Sequence, residues 1–177
     1  MTSAGYTENP DLKKIAQSGD PNGRLEHRRT PLIWAAWRND VESARQLLAR
    51  GAAVDAADAF GWTPLTCAGW NGCAESARLL LENGAEVDHR DEEGCTPLMR
   101  AAANNRADTV QLLLQFGAAV DIRSGAGKTA GDYAAKNHCA ESLVLLAQAA
   151  RGALPPLPPT PAVEKPVVIR WPKGFNL

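Results

Sequence analysis

Apolar positions in this chain come in paired stripes, and the pair recurs. After Pro31, Leu32, Ala35 and Ala36 fall on one face at helical spacing, and the alanines are small enough for a neighbouring helix to approach closely. A polar break at Asn39-Asp40 follows. Val41, Ala44, Leu47 and Leu48 then form a second helical stripe. Thr30 is placed to cap the first helix through its hydroxyl, and Pro31 suits the first helical position, where no N–H is needed. Gly51 reads as a left-handed stop for the second helix. Residues 52–60 should run out as a loop or hairpin, and Gly61 should turn the chain back into Thr63.

The same plan returns every 33 residues. Thr30-Pro31-Leu32, Thr63-Pro64-Leu65 and Thr96-Pro97-Leu98 are in register, and Thr129-Ala130-Gly131 is a worn copy one interval further on. Leu80-Leu81 and Leu113-Leu114 answer Leu47-Leu48, Gly84-Ala85 and Gly117-Ala118 answer Gly51-Ala52, and Val87-Asp88 and Val120-Asp121 answer Val54-Asp55. An acidic residue stands near the start of each second helix (Glu42, Glu75, Asp108, Glu141), where it complements the positive end of the helix dipole. Agreement at so many offsets defines a solenoid of stacked helix pairs, whose function belongs on a surface shared by several units.

These motifs, Gly-x-Thr-Pro-Leu followed by Ala-Ala, Leu-Leu, Gly-Ala and Val-Asp, resemble the ankyrin repeat over about residues 11–150. The resemblance implies an all-α solenoid of antiparallel helix pairs joined by β-hairpin or loop fingers, curved around a concave face. It implies a module that binds other proteins without catalysis. The organisation expected is a flexible stretch at 1–10, the repeat domain at 11–152 and a proline-rich tail at 153–177. Within the domain, Asp11 to Gly19 reads as the second helix of a partial first repeat. Three full units follow, and a degenerate unit closes the stack with a last helix at about Ala140 to Ala150. Ala130-Gly131 in place of Pro-Leu is expected to weaken the start of the fourth unit's first helix.

Composition narrows the alternatives. The 177 residues are 45% hydrophobic and 22% charged with a formal net charge of −1, ordinary for a domain with a core and too near neutral for a global field that attracts nucleic acid or anionic membrane. No apolar leader stands at Met1 to Lys14, and no window reaches the roughly 18 apolar residues of a membrane span. Cys67, Cys73, Cys95 and Cys139 make no Cys-x-x-Cys, so they read as reduced thiols, some used as small apolar side chains. His27, His89 and His138 lie at unrelated offsets with no metal-site spacing. Ser124-Gly125-Ala126-Gly127-Lys128-Thr129 imitates a phosphate loop, but Ile122 stands where the motif needs its first glycine. No cofactor and no metal are expected.

The resemblance places partner contacts on the finger tips and the exposed side of the first helices. At those offsets stand Arg29, Trp62, Cys95 and Lys128 before each threonine, Phe60, Arg90, Glu92, Glu93 and Arg123 on the fingers, and Trp37, Arg38, Trp70, Asn71 and Asn104 at the ends of the first helices. Bare aromatics on a surface are costly, and Trp, Tyr and Arg dominate binding hot spots. Trp37, Phe60, Trp62 and Trp70, ringed by Arg29, Arg38 and Arg90, therefore form the expected patch. Its partner is a protein or peptide with an apolar anchor and some acid. Packing between tryptophans of adjacent units is the competing reading for Trp37 and Trp70, and Trp34 leans to the stack interior.

The tail begins Ala153-Leu154-Pro155-Pro156-Leu157-Pro158-Pro159-Thr160-Pro161, a polyproline II pattern. Pro155, Pro156, Leu157 and Pro158 resemble a weak ligand for one class of WW domain. The following Val167-Val168-Ile169-Arg170-Trp171 is apolar enough to expect it to fold back on the array or dock on a partner. The function expected is thus an adaptor or an inhibitor of a target protein, in the cytoplasm, with the nucleus as the alternative. A spacer that only holds out the tail would lack a cluster of exposed aromatics, and an enzyme would need an enclosed pocket of titratable groups.

Overall fold

The computed structural model describes Ile15 and residues 19–153. Among the described residues eight α-helices form four antiparallel pairs: α1 (Pro31–Trp37) with α2 (Val41–Ala49), α3 (Pro64–Asn71) with α4 (Ala74–Glu82), α5 (Pro97–Ala103) with α6 (Ala107–Gln115), and α7 (Ala130–Lys136) with α8 (Ala140–Ala150). Each first helix packs on the next along the series α1, α3, α5, α7, and the second helices stack likewise behind them. The most buried side chains lie at the predicted apolar stripes: Leu32, Leu65 and Leu98 in the first helices, and Leu47, Leu80 and Leu113 in the second, all at 0% exposure. A core assembled from one offset in every unit is continuous through the stack, which is how a helix pair too small to fold alone becomes stable.

Local chemistry explains the boundaries. The hydroxyls of Thr30, Thr63 and Thr96 accept the N–H of the residue three further on at 3.2–3.3 Å, with proline at the first helical position. Such a cap contributes about 1 kcal/mol. The worn fourth copy corrects the expectation of a weak start. Thr129 accepts the Asp132 N–H at 3.2 Å and Asp132 accepts the Thr129 N–H at 2.8 Å, a reciprocal capping box that does without proline and leucine. The second helices stop at Gly51, Gly84 and Gly117, whose φ of 84–88° demands the glycine. The recurring Asp of Val-Asp ties one unit to the next. Asp55 accepts the Glu86 N–H and Asp88 the Ala119 N–H, each at 3.1 Å.

The fingers are tight turns, and no β-strand occurs among the described residues. Each finger closes with a backbone bond across it (Asp58 to Trp62, Asp91 to Cys95, Ser124 to Lys128, 2.9–3.0 Å) and a second within its turn (Gly61 to Asp58, Gly94 to Asp91, Gly127 to Ser124, 2.8–3.2 Å), and it is tied to its neighbour by a single one, from Ala59 to His27, Glu92 to Phe60 and Gly125 to Glu93. One bond at each step is too few to build the ladder of a β-hairpin. At the N-terminal end, the Gly19 N–H donates to the Ile15 carbonyl and Ile15 packs against the core. The rest of the expected partial helix, and the proline-rich tail from 154 with its Pro155, Pro156, Leu157, Pro158 segment, lie outside the described residues.

Candidate functional site

The side chains that build the finger-and-first-helix face start from a buried carboxylate. Asp58 accepts the N–H groups of Phe60 and Trp62 at 2.8 and 3.0 Å through one oxygen, and Asp91 does the same for Glu93 and Cys95 at 3.0 and 2.9 Å. Both residues are only 6% exposed. Each carboxylate holds a finger tip in shape and leaves its second oxygen in need of a cation, since a bare buried charge is heavily penalised. The two units meet that need differently. Nine residues after Asp91 stands Arg100, which donates to it through Nε at 2.8 Å and Nη2 at 2.6 Å. Nine residues after Asp58 stands Cys67, which carries no charge, and Arg29 of the preceding unit pairs with Asp58 at 3.3 Å instead. In the third finger Ser124 replaces the acid, and its hydroxyl bonds the Tyr133 hydroxyl at 3.0 Å, again nine residues on.

These pairings correct the expectation for Arg29. It is 5% exposed, committed to Asp58 and laid over the Trp34 ring at 5.6 Å, so it is a buried strut and not part of a surface ring. Trp34 is buried at 4%. Cys67 sits beside this ion pair, fully enclosed; burial first, and the Asp58 charge second, push its thiol above the ordinary range. Burial raises the Cys73 thiol too, and all four cysteines are free and buried. For Arg100, burial alone would favour the neutral form, but the Asp91 hydrogen bond and charge outweigh it and raise its pKa.

The tryptophans converge. Side chains on a helix lean toward its N-terminus, so Trp70, near the end of α3, reaches back to the finger and meets Trp62 with ring centroids 5.4 Å apart. Trp37 of α1 also meets Trp62, at 6.5 Å. The Arg100 guanidinium lies over Trp62 at 5.1 Å and Trp70 at 5.9 Å, and its Nη2 also reaches Glu93 at 3.2 Å. Three units thus contribute to one aromatic stack topped by a cation that a carboxylate fixes from below. All three rings are half-buried, so packing and a solvent-facing edge coexist at each.

Beside the stack Phe60 is 49% exposed, with the His27 ring 5.9 Å away. Arg38, exposed at the end of α1, lies over Trp34 at 5.6 Å. Arg90, Glu92 and Arg123 are exposed and Lys128 is half-buried. Arg90 reaches to the next finger, donating to the Arg123 carbonyl at 2.9 Å. Asn71 and Asn104 do not present free amides: Asn71 donates to the Trp37 carbonyl and Asn104 to the Arg100 carbonyl, both at 2.9 Å. Sequence reasoning assigned no role to Arg100, Asp91 or Asp58. The recurrence of aspartate at 58 and 91 was the available signal, but its buried partner shifts from one unit to another and carries no fixed spacing.

No group of three or more His, Cys, Asp or Glu residues that could hold a metal occurs among the described residues, and none of their helices is long and apolar enough to cross a membrane.

Stacked helix pairs with bonded finger turns and a contact surface spread over several units describe a repeat binding module. A family model of ankyrin repeats, in three copies, matches residues 2–91 and 83–154, and the chain belongs to that family. Ankyrin repeats are generally protein–protein interaction modules and typically non-catalytic. A search of curated proteins returns no match.

Proposed function

We propose that this chain is a non-catalytic adaptor or inhibitor that grips a partner polypeptide on the finger and first-helix face, with Phe60 and the edges of Trp37, Trp62 and Trp70 as the apolar anchor. The observation that carries the reading is the stack itself: three half-buried tryptophans from two successive units, with Arg100 of the third lying over Trp62 and Trp70. Rigid aromatic surface loses little conformational freedom on binding, and anchors of this type dominate interface energetics. The exposed cations Arg38, Arg90 and Arg123 border it, with Glu92 and Glu93 further along, which favours a partner segment combining an apolar side chain with acidic neighbours. Four free, buried thiols support a reducing, cytoplasmic setting.

Phe60→Ala tests the reading most cleanly, because the side chain is half exposed and its loss should leave the fold intact. Partners recovered by the wild-type chain should bind this variant about 2 kcal/mol more weakly, roughly thirtyfold. Trp62→Ala should lose at least as much affinity and some stability besides. Wild-type affinity in both variants, with unchanged circular dichroism, would remove this face as the binding surface. If the recovered partner is an enzyme, a fall in its activity on titration distinguishes an inhibitor from an adaptor.

A further inference from the structure

The fourth unit adapts one of its helices to the end of the stack and leaves the other apolar. No fifth helix pair follows among the described residues, and the outer side of a closing repeat has to be polar to stay in water. The first helix, α7, obeys that rule. Gly131 stands at the offset of the buried Leu98, Asp132 at that of the buried Met99, and Lys136 at that of Ala103. The worn Thr-Pro-Leu copy is thus a helix relieved of apolar side chains that nothing would bury.

The second helix, α8, does the reverse. Val144 is 56% exposed at the offset where α2, α4 and α6 carry Arg45, Arg78 and Gln111. Leu143 is half-buried and Ala147 exposed, at the offsets of the buried Val110 and Leu114. Ala140, Leu143, Val144 and Ala147 follow the spacing i, i+3, i+4, i+7, so they share one face of the helix. The chain itself leaves α8 beside this face. Gly152, at φ 68°, ends the helix; its N–H donates to the Ala149 carbonyl at 3.0 Å, and the Ala153 N–H donates to the Gln148 carbonyl at 2.9 Å. That pair of bonds folds the backbone over the last turns of the helix and sets Ala153 against the turn that holds Ala147 and Gln148.

We propose that the next segment of this chain, Leu154 to Pro161, packs antiparallel on the apolar face of α8 as a polyproline II strut and caps the solenoid. Leu154 lies against Ala147, Leu157 against Ala140, and Val144 between the two leucines. Spacing favours the fit. Residues three apart in polyproline II lie on one edge about 9.3 Å apart, and Ala140 and Ala147 are about 10.5 Å apart along the helix. The two alanines leave room for the leucines. Hydrogen bonding favours it too: a helix face offers an occupant no backbone partners, and a proline-rich segment has no internal bonds to keep and few N–H groups to satisfy. The segment starts one residue after Ala153, so its tether holds it at a high effective concentration over the face. Seated there, Pro155, Pro156, Leu157 and Pro158 serve as a structural cap and are withheld from a WW-type module. The inference is independent of the aromatic face.

The test uses the full chain with labelled methyl groups. Nuclear Overhauser contacts should join the Leu157 methyls to those of Val144 and Ala140, and the Leu154 methyls to that of Ala147. A mixture of labelled and unlabelled chains should place these contacts within one molecule. Val144→Arg installs the residue that α2 and α4 carry at this offset and raises helix propensity. On a bare face it would leave Tm unchanged or higher; beneath the strut it should lower Tm by a few degrees and erase the Leu157 contacts. Leu157→Asp lies outside the repeats, so it should spare their fold while erasing the same contacts and shifting the amide signals of residues 140–147. Absence of contacts between Leu157 and α8, a Val144→Arg chain at least as stable as the wild type, or contacts formed only between molecules, which would make a second copy the occupant, would overturn the assignment.

Discussion

Replacing Arg100 by Met tests the arrangement beneath the aromatic face most directly. The Asp91 side chain is fully buried and that of Arg100 is 12% exposed, with two donors from one guanidinium to one carboxylate oxygen. Removing one member of a buried pair costs about 3–5 kcal/mol, because the other charge stays behind uncompensated. The partial exposure of Arg100 puts this case near the lower end, at about 3 kcal/mol. Loss of the cation over Trp62 and Trp70 adds about 0.5 kcal/mol per ring, which the methionine thioether against the same rings largely returns. The net loss of about 3 kcal/mol corresponds to a fall of about 10 °C in Tm for a chain of this size. Urea unfolding followed by circular dichroism and tryptophan fluorescence reads it. The decisive partner is Asp91→Asn with Arg100→Met: the asparagine oxygen keeps the Glu93 and Cys95 N–H groups bonded, no charge is stranded, and at least about 2 kcal/mol of the loss should return. A single variant that costs under about 1 kcal/mol, or a double variant no more stable than Arg100→Met, would refute the buried-charge reasoning.

Two further outcomes follow from the packing and the caps. Gly69 lies inside α3, where alanine would ordinarily gain about 1 kcal/mol of helix propensity. A Cβ there would stand 2.9 Å from the Pro97 carbonyl oxygen of α5, a backbone atom that cannot swing away, so Gly69→Ala should instead destabilise by about 1–2 kcal/mol in urea melts. The Thr129 N–H and hydroxyl both bond the Asp132 carboxylate and hold its pKa below the usual value. A depressed folded-state pKa contributes stability above the unfolded pKa of about 4 and loses it as pH falls through the folded value; Asp132→Ala should therefore flatten the acid limb of the stability curve in that window.

Legibility divides along the range of the interactions. Thr63 caps its helix, Pro64 starts it, Gly84 stops the one after, and Leu80 faces inward for reasons contained within a few residues, so the solenoid, its helix boundaries and its core stripe could be read from spacing alone. Even the capping box was legible in principle, as Thr129-x-x-Asp132, though Ala130-Gly131 pointed the other way. Trp37, Trp62 and Trp70 lie ring to ring in series, because their offsets within the repeat bring the finger of one unit beside the first helices.

What the period could not convey is the rise and rotation from one unit to the next, which decide whose side chain reaches whose. Arg29 and Arg90 both belong to fingers, yet one is buried against Asp58 and the other reaches across the surface to the Arg123 carbonyl. Asp91 finds its cation nine residues ahead in its own unit, whereas Asp58, facing Cys67 at that distance, takes its cation from the unit before. Gly72 is one residue type among many in the sequence, and only stacking shows that the Arg106 side chain fills the space beside it. The sequence by itself determined the repeating element, since caps, stops and apolar stripes act over one helical turn. The tertiary structure alone decided the face, since contacts between units depend on how each is seated on its neighbour.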